Sequence, residues 1–237
     1  MISSVGWCAL VHIRFFGHAF FKLSFRGKNV LIDPFVGKTN GTIDFSCLET
    51  PKVKDSDLKD IDLVLITHEH FDHFDPELIK RIVLENNACL VCHESLVQQL
   101  ELPKRFVHAI STGEHVSLRG VDIVATDAHH PKAFYPMGYL VSGNGHTVFH
   151  AGDTDLLDDF SKIKADVALL PIGGYETMDV VDAIRATKAM KPEIAIPMHY
   201  NTFKMIKADP LEFKYKIEKS ILKTQPVILK AGQCFKM

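Results

Sequence analysis

Short apolar runs, each ended by a turn residue or a charged position, divide the first part of the chain into strands. The runs cover residues 11–16, 19–25, 29–32 and 61–66. The first three are separated by Gly17 and Gly27 and end at Asp33-Pro34, a spacing typical of an antiparallel meander. The opening of the chain is therefore predicted to form a β-sheet.

Strands and helices alternate later in the chain. Apolar residues at helical spacing predict helices at 76–86 and 178–190 and near 94–100 and 209–220, and apolar runs predict strands at 88–92, 166–170, 193–197 and 226–229. Residues 105–150 are predicted to return to strands, with a tight hairpin at Gly143-Asn144-Gly145. Because the two halves share this order of elements, the sequence predicts two sheets packed face to face with helices outside. That fold is an α/β, four-layer αβ/βα sandwich, expected as a single domain over 1–237.

The composition favours a globular protein with neither a nucleic-acid nor a membrane partner. Of 237 residues, 46% are hydrophobic, and 27 Lys and Arg face 29 Asp and Glu, without the basic cluster that nucleic-acid binding needs. No apolar segment approaches the ~20 residues that cross a bilayer. The five cysteines are an odd number in a chain too long to depend on disulfides. We expect a reduced, cytoplasmic protein, with residues 1–11 as folded chain entering the first strand rather than a signal peptide.

The most informative segment is Thr67-His68-Glu69-His70-Phe71-Asp72-His73. It places three imidazoles and the carboxylate of Asp72 within six positions, directly after the strand predicted at 61–66. Successive side chains of a strand point to opposite faces, so these four groups converge only if the chain bends. Asp75-Pro76 then suits a helix N-cap and first helical position. The segment is predicted to be a loop between a strand and a helix.

Other candidate metal ligands also follow strand-like runs. His129 and His130 come after 121–125, Asp153 after 148–152 and His199 after 194–198. Loops at one edge of the two sheets would bring these side chains together. Nitrogen and oxygen ligands without a thiolate suit Zn, Mn, Fe or Ni, and a catalytic site is favoured because structural zinc more often uses Cys.

In content and order these motifs resemble the metallo-β-lactamase superfamily. Within it, several segments resemble a family of metal-dependent hydrolases related to L-ascorbate-6-phosphate lactonase: Gly17-His18-Ala19-Phe20, Leu31-Ile32-Asp33-Pro34-Phe35, His150-Ala151-Gly152-Asp153-Thr154, Leu170-Pro171-Ile172-Gly173-Gly174 and Ile196-Pro197-Met198-His199-Tyr200-Asn201-Thr202-Phe203. The resemblance runs from about Gly17 to Lys230. It implies the metallo-β-lactamase fold, a small-molecule substrate and two divalent metal ions. Zn and Mn are the ions it favours. It also allows a homo-oligomer.

The resemblance further implies a role for each candidate residue. His68, His70 and His130 would hold the first metal ion, Asp72, His73 and His199 the second, and Asp153 would bridge both. His129 is the alternative to His130, because Thr126 to His129 fits the general pattern whereas Ala128-His129-His130 fits the narrower family. Asp72 is also the predicted catalytic residue, as a ligand that accepts a proton. His18 and Asp33 are predicted to orient the ligands.

The expected reaction is hydrolysis of an ester, a lactone or a phosphoester by a hydroxide held between the two ions. Lys132 and Tyr135, just beyond the paired histidines, are candidate substrate contacts. An RNA or DNA phosphodiesterase of the same superfamily is one alternative, although no basic arm is visible. A noncatalytic metal-binding protein is another. A di-iron redox protein of this fold is disfavoured because it typically carries Glu where this chain has His70.

Overall fold

The computed structural model describes residues 11–37 and 47–237, so the prediction for the first ten residues lies outside it. The first six strands are β1 (Val11–Gly17), β2 (Phe20–Phe25), β3 (Lys28–Ile32), β4 (Leu63–Leu65), β5 (Cys89–Cys92) and β6 (Val107–Ala109). The next seven are β7 (His115–Leu118), β8 (Val121–Asp127), β9 (Met137–Gly143), β10 (His146–His150), β11 (Val167–Pro171), β12 (Ile194–Met198) and β13 (Gln225–Pro226). The last is β14 (Cys234–Lys236).

Four α-helices and four short 3₁₀ helices connect the strands of the described segments. The α-helices are α1 (Pro76–Asn86), α2 (Glu94–Leu100), α3 (Val180–Met190) and α4 (Pro210–Glu218). The 3₁₀ helices are Asp55–Leu58, Lys104–Phe106, Asp158–Lys162 and Lys204–Ile206. None of the helices in these segments has the length and apolar character that crossing a membrane requires.

The strands form two seven-stranded sheets in the orders β14-β1-β2-β3-β4-β5-β6 and β13-β12-β11-β10-β9-β8-β7. Their facing sides share one core, in which Ile13 and Leu23 of the first sheet join Ile123 and Val141 of the second. Helices α1 and α2 cover the outer side of the first sheet, and α3 and α4 pack on β11 and β13 of the second. The predicted αβ/βα sandwich is confirmed.

The hairpin between β9 and β10 forms where the sequence predicted it. Asn144 and Gly145 are its two loop residues, with φ of 56° and 79°. Positive φ at both positions defines the type I′ turn, whose twist matches that of the flanking strands.

Near the C-terminus one strand was predicted with the wrong bounds and another was not predicted. The strand expected at 226–229 is only Gln225–Pro226, at the sheet edge where a residue without an N–H is tolerated. The sequence did not predict β14, which pairs antiparallel with β1 so that Phe235 lies opposite Ile13. Three residues are too few for a periodic pattern to reveal a strand.

The parallel parts of the two sheets determine where the site lies. In the first sheet β3, β4, β5 and β6 are parallel, and in the second β10, β11, β12 and β13 are parallel. In the first sheet, Asp33 comes directly after β3 and His68 comes shortly after β4. In the second sheet, Asp153 comes shortly after β10 and His199 comes directly after β12. All four side chains therefore come from the carboxyl ends of parallel strands, where open α/β sheets carry their sites.

Candidate metal centre

The loop between β4 and α1 is held at both ends. On its far side the amides of His73 and Phe74 donate to the carbonyl of His70, at 2.9 and 2.8 Å. Asp75 then caps α1, accepting from the amide of Leu78 at 3.1 Å. On its near side the hydroxyl of Tyr139 donates to the carbonyl of Ile66 at 2.7 Å, from the facing sheet. This short loop therefore has little freedom to move.

A buried carboxylate orients two of the loop histidines. Asp33 accepts from the amide of Thr67 at 2.8 Å, from its hydroxyl at 2.7 Å and from Nδ1 of His73 at 2.8 Å. Because the single hydroxyl proton of Thr67 goes to Asp33, its oxygen accepts from Nδ1 of His68 at 2.9 Å. Because Nδ1 of each ring is engaged, Nε2 is the nitrogen left for a ligand role, and His68 and His73 each place a ligand atom within 4.8 Å of one of Asp153. Asp33 is thus placed to orient His73, and Thr67 is a further partner that the sequence analysis did not name.

The first group of candidate ligands consists of His68, His70 and His130. Each offers one ring nitrogen as a metal ligand, and these three nitrogens lie within 4.8 Å of one another. Nδ1 of His130 donates to the carbonyl of Glu176 at 2.7 Å, and its Nε2 lies 2.9 Å from Nδ1 of His70. The side chain of His129 is 69% exposed and contacts Asp155 at 3.0 Å instead. Of the two alternatives, the structure brings His130 into the cluster and leaves His129 outside.

The second group contains Asp72, His73 and His199, together with His18, again within 4.8 Å. Nε2 of His18 donates to Oδ2 of Asp72 at 3.0 Å, and its Nδ1 lies 3.0 Å from the hydroxyl of Thr202. Nε2 of His199 lies 3.9 Å from the same Asp72 oxygen. His18 thus orients the carboxylate of Asp72, and Thr202 orients His18.

Asp153 lies between the two groups. Its Oδ1 is 3.3 Å from Nε2 of His73, and its Oδ2 is 2.9 Å from Nε2 of His199 and 3.7 Å from Nε2 of His130. One buried carboxylate therefore contacts histidines of both groups, which is the placement expected of a shared ligand.

Strained backbone joins the loops of the two sheets. His18, Asp33 and His199 have φ of 58°, 48° and 54°, a region that residues other than glycine seldom adopt. The amide of His199 donates to the carbonyl of His18 at 2.8 Å, which ties the β1–β2 turn to the end of β12. Such strain persists only where the surroundings enforce it, and it is common at functional sites.

Unpartnered atoms and charge in this cluster fit metal ions. Nε2 of His68 is buried and has no hydrogen-bond partner within 11–37 and 47–237. Burial alone would raise the pKa of Asp153, but His199 and His73 hold it well below its usual range. Burial alone would lower the pKa of His73, but Asp153 and Asp33 hold it well above its usual range. The buried carboxylates thus attract positive charge, as the raised pKa of His73 indicates. Burial, followed by repulsion from His73, holds the pKa of His68 well below its usual range, so that its neutral imidazole offers a lone pair that a divalent ion could bind.

The same electrostatics keep Asp72 ionised. Burial would raise its pKa, but the hydrogen bond from His18 and the nearby His73 outweigh burial and hold it below the usual value. Burial, followed by repulsion from His199, lowers the pKa of His18 to about 4. Neutral His18 therefore donates a hydrogen bond to Asp72, whose carboxylate keeps the negative charge that a metal ligand needs.

Gly152 allows Asp153 to reach the cluster. Its φ is +63°, and a Cβ there would lie 2.6 Å from the carbonyl oxygen of Met137 and 3.2 Å from Cβ of Thr67. We expect Gly152→Ala to lower the free energy of unfolding by about 3 kcal/mol, since positive φ and overpacking each cost about 1–3 kcal/mol. Urea unfolding measures the loss.

Gly145→Ala is the matched control for that substitution. Gly145 has φ +79° with nothing within 4 Å of an added Cβ, so only the backbone cost of about 1–2 kcal/mol remains. Equal losses in the two variants would contradict the close approach at Gly152.

Removing the charge of Asp33 should loosen metal binding without unfolding the loop. We expect Asp33→Asn to weaken metal affinity about 10–100-fold, because an amide offers one acceptor oxygen where Thr67 and His73 present three donors. Competition with a fluorescent chelator measures the change. An affinity equal to that of the wild type would show that His73 does not need this partner.

A cavity of about 350 Å³ opens onto the cluster. It is lined by His70, Phe71, Asp72, His130, Lys132, Asp153, Tyr175, Glu176, His199, Phe203, Met205 and Ile206. Of the two suggested substrate contacts, Lys132 lines this cavity. Tyr135 is not part of the lining and stacks on His93, with ring centroids 3.7 Å apart.

Some functional positions carried no sequence signal. Glu176 contacts His130 through its backbone carbonyl, which any residue could supply. Thr202 and Phe203 end a segment that resembles the hydrolase family, but the sequence predicted no role for either residue.

Comparison with known proteins gives a consistent assignment. The model of the family described as "Beta-lactamase superfamily domain" matches residues 12–199. A "UPF0173 metal-dependent hydrolase" of Thermofilum pendens is 36% identical over 94% of this chain and 97% of its own length. Another, from Thermoplasma acidophilum, is 40% identical over 84% and 87%.

A solved structure agrees with both sequence matches. A metallo hydrolase from the hyperthermophilic archaeon Ignicoccus hospitalis is 32% identical and superposes with a TM-score of 0.79, covering 96% of this chain and 98% of that one. With its fold and histidine–aspartate cluster, the chain belongs to the metallo-β-lactamase superfamily, within the UPF0173 metal-dependent hydrolases.

Proposed function

We propose that this chain hydrolyses an ester, a lactone or a phosphoester of a small molecule with the help of two divalent metal ions, Zn or Mn. The observation that carries the proposal is the position of Asp153, whose two oxygens contact histidines of both candidate groups. A single shared carboxylate between two sets of ligands is the arrangement that a pair of ions needs.

Each ion would have its own ligands. His68, His70 and His130 would hold one, Asp72, His73 and His199 would hold the other, and Asp153 would bridge them. When bound, such a pair of ions supplies a Lewis acid for the substrate oxygen and lowers the pKa of water toward ~7. Nitrogen and oxygen donors of this kind suit Zn and Mn.

The protein would contribute orientation and a place for a proton. Asp33 and Thr67 engage Nδ1 of His73 and of His68, which leaves Nε2 of each ring for a metal ion. Asp72, kept ionised and held by His18, would orient the attacking water and accept its proton at the carboxylate. The hydrogen bond from His18 would restrain the rotamer of that carboxylate.

A small molecule suits the site better than a nucleic acid. The cavity of about 350 Å³ lies at the low end of the volumes typical of small-ligand pockets. Among the lining residues that lie within 11–37 and 47–237, Lys132 is the single lysine or arginine, whereas a phosphodiester backbone requires a basic track.

Metal analysis followed by a substrate panel tests the proposal. Protein purified after growth with zinc or manganese is analysed for bound metal, stripped and reloaded, and then assayed on matched esters, lactones, phosphomonoesters and phosphodiesters. We expect two equivalents of metal and hydrolysis that disappears on stripping and returns on reloading. Tight binding of metal without turnover of any substrate would indicate a noncatalytic metal-binding protein and would contradict the proposal.

A further inference from the structure

The cavity wall beyond the metal cluster is apolar. Phe71, Phe203, Tyr175, Met205 and Ile206 all line it. The rings of Phe71 and Phe203 lie 5.7 Å apart, and Phe203 is 2% exposed, so this part of the wall is packed in place. Tyr175 and Met205 are 38% and 37% exposed, which leaves large apolar side chains open to whatever enters. Burying an apolar group of a ligand against such a wall favours binding by roughly 25 cal/mol per Å² of apolar surface.

The charges of the lining are already matched. Lys132 lies 2.5 Å from a carboxylate oxygen of Glu176, and both residues line the cavity. The backbone of Glu176 is itself fixed, because its carbonyl accepts from His130. The other carboxylates of the described lining are Asp72 and Asp153, and they belong to the metal cluster. An anionic group on the substrate, away from the scissile bond, would therefore find no unpaired cation among the described residues of the lining.

From this matched pair and apolar wall, we infer that the substrate carries a neutral, apolar aryl or alkyl group on the side facing Phe71, Phe203 and Tyr175. Desolvating a carboxylate or a phosphate there without a partner carries a free-energy cost, whereas a ring or an alkyl chain gains from burial. Glu176 acts as a specificity-determining residue, because it neutralises Lys132. This inference rests on the proposed function, since it assumes that the scissile bond lies at the metal cluster.

Binding of two hydroxamates tests the inference without requiring turnover. Benzohydroxamate and 4-carboxybenzohydroxamate share one metal-chelating group and differ by a single carboxylate on the ring. Their dissociation constants are measured by calorimetry with the metal-loaded protein. We expect the neutral compound to bind at least about tenfold more tightly, equivalent to about 1.4 kcal/mol. Equal binding, preference for the carboxylate or no binding of either compound to loaded protein would overturn the inference.

Variants at the ion pair show whether Glu176 sets this preference. Glu176→Gln keeps the backbone carbonyl and frees the charge of Lys132, so the preference for the neutral compound should fall at least about threefold. Lys132→Met leaves Glu176 unpaired, so the preference should rise. The control is Glu101→Gln, which breaks the exposed pair of Glu101 with Lys80 outside the cavity and should leave the ratio unchanged.

The outcomes separate this inference from the proposed function. A preference that stays the same in Glu176→Gln and Lys132→Met, with metal content equal to wild type, would contradict the role of the pair. Protein that takes up no metal would contradict the proposed function instead.

Discussion

Asp153→Ala is expected to lose at least about 10³-fold in the rate of metal-dependent hydrolysis. The carboxylate contacts His73, His130 and His199, and its removal takes one ligand from both proposed ions at once. A bound metal supplies several kcal/mol of stabilisation to the transition state, and about 4 kcal/mol corresponds to a factor of ~10³. The measurement is kcat/KM on whichever ester or lactone the wild type hydrolyses, together with bound metal per chain.

Asp155→Ala provides the matched control for that loss. Asp155 lies two positions further along the same loop, and its side chain is 45% exposed and contacts His129. We expect this variant to keep both metal ions and nearly all activity. If Asp153→Ala folds, retains two equivalents of metal and hydrolyses at the wild-type rate, the shared-ligand assignment is wrong.

Replacing each of the two adjacent histidines should give opposite results. We expect His130→Ala to lose about 100-fold or more in kcat/KM and one equivalent of metal, since its Nε2 lies 2.9 Å from His70 within the first group. Loss of one ligand of a catalytic ion removes roughly 3 kcal/mol or more from the stabilised transition state. His129→Ala should stay within about twofold of the wild type, because its ring is exposed and its partner is Asp155.

This pair of variants is informative because the residues are neighbours of the same type. Circular dichroism and urea unfolding confirm that both proteins fold before their metal contents are compared. A larger loss in His129→Ala than in His130→Ala would mean that the general superfamily pattern, which starts from Thr126, identifies the ligand.

The layout of the fold could be read from the sequence because its strands are short, buried and punctuated by turn residues. The hairpin at Asn144-Gly145 is the clearest case, since its residue types match the positive φ that the turn requires. The strand β14 could not be read, because its pairing with β1 is a contact between the two ends of the chain. Nothing local in Cys234–Lys236 encodes that contact.

Ligand-type residues in the site were visible in the sequence because they follow parallel strands, and parallel strands end at a common edge. The sequence favoured His130 but left His129 as an alternative, since adjacent residues differ only in the direction of their side chains. Contacts made by backbone atoms, such as the carbonyl of Glu176, leave no trace in residue type. Thr67 is intermediate, because its hydroxyl has a definite role and it directly precedes the histidine loop, yet threonine is also common at the end of a strand.

Anomalous diffraction from a crystal grown with zinc or manganese tests the central claim most directly. The account predicts two peaks about 3.5–4 Å apart, one among His68, His70 and His130 and the other among Asp72, His73 and His199. Oxygens of Asp153 should reach both peaks, and His129 should reach neither. A single peak, or two peaks that Asp153 does not join, would contradict it.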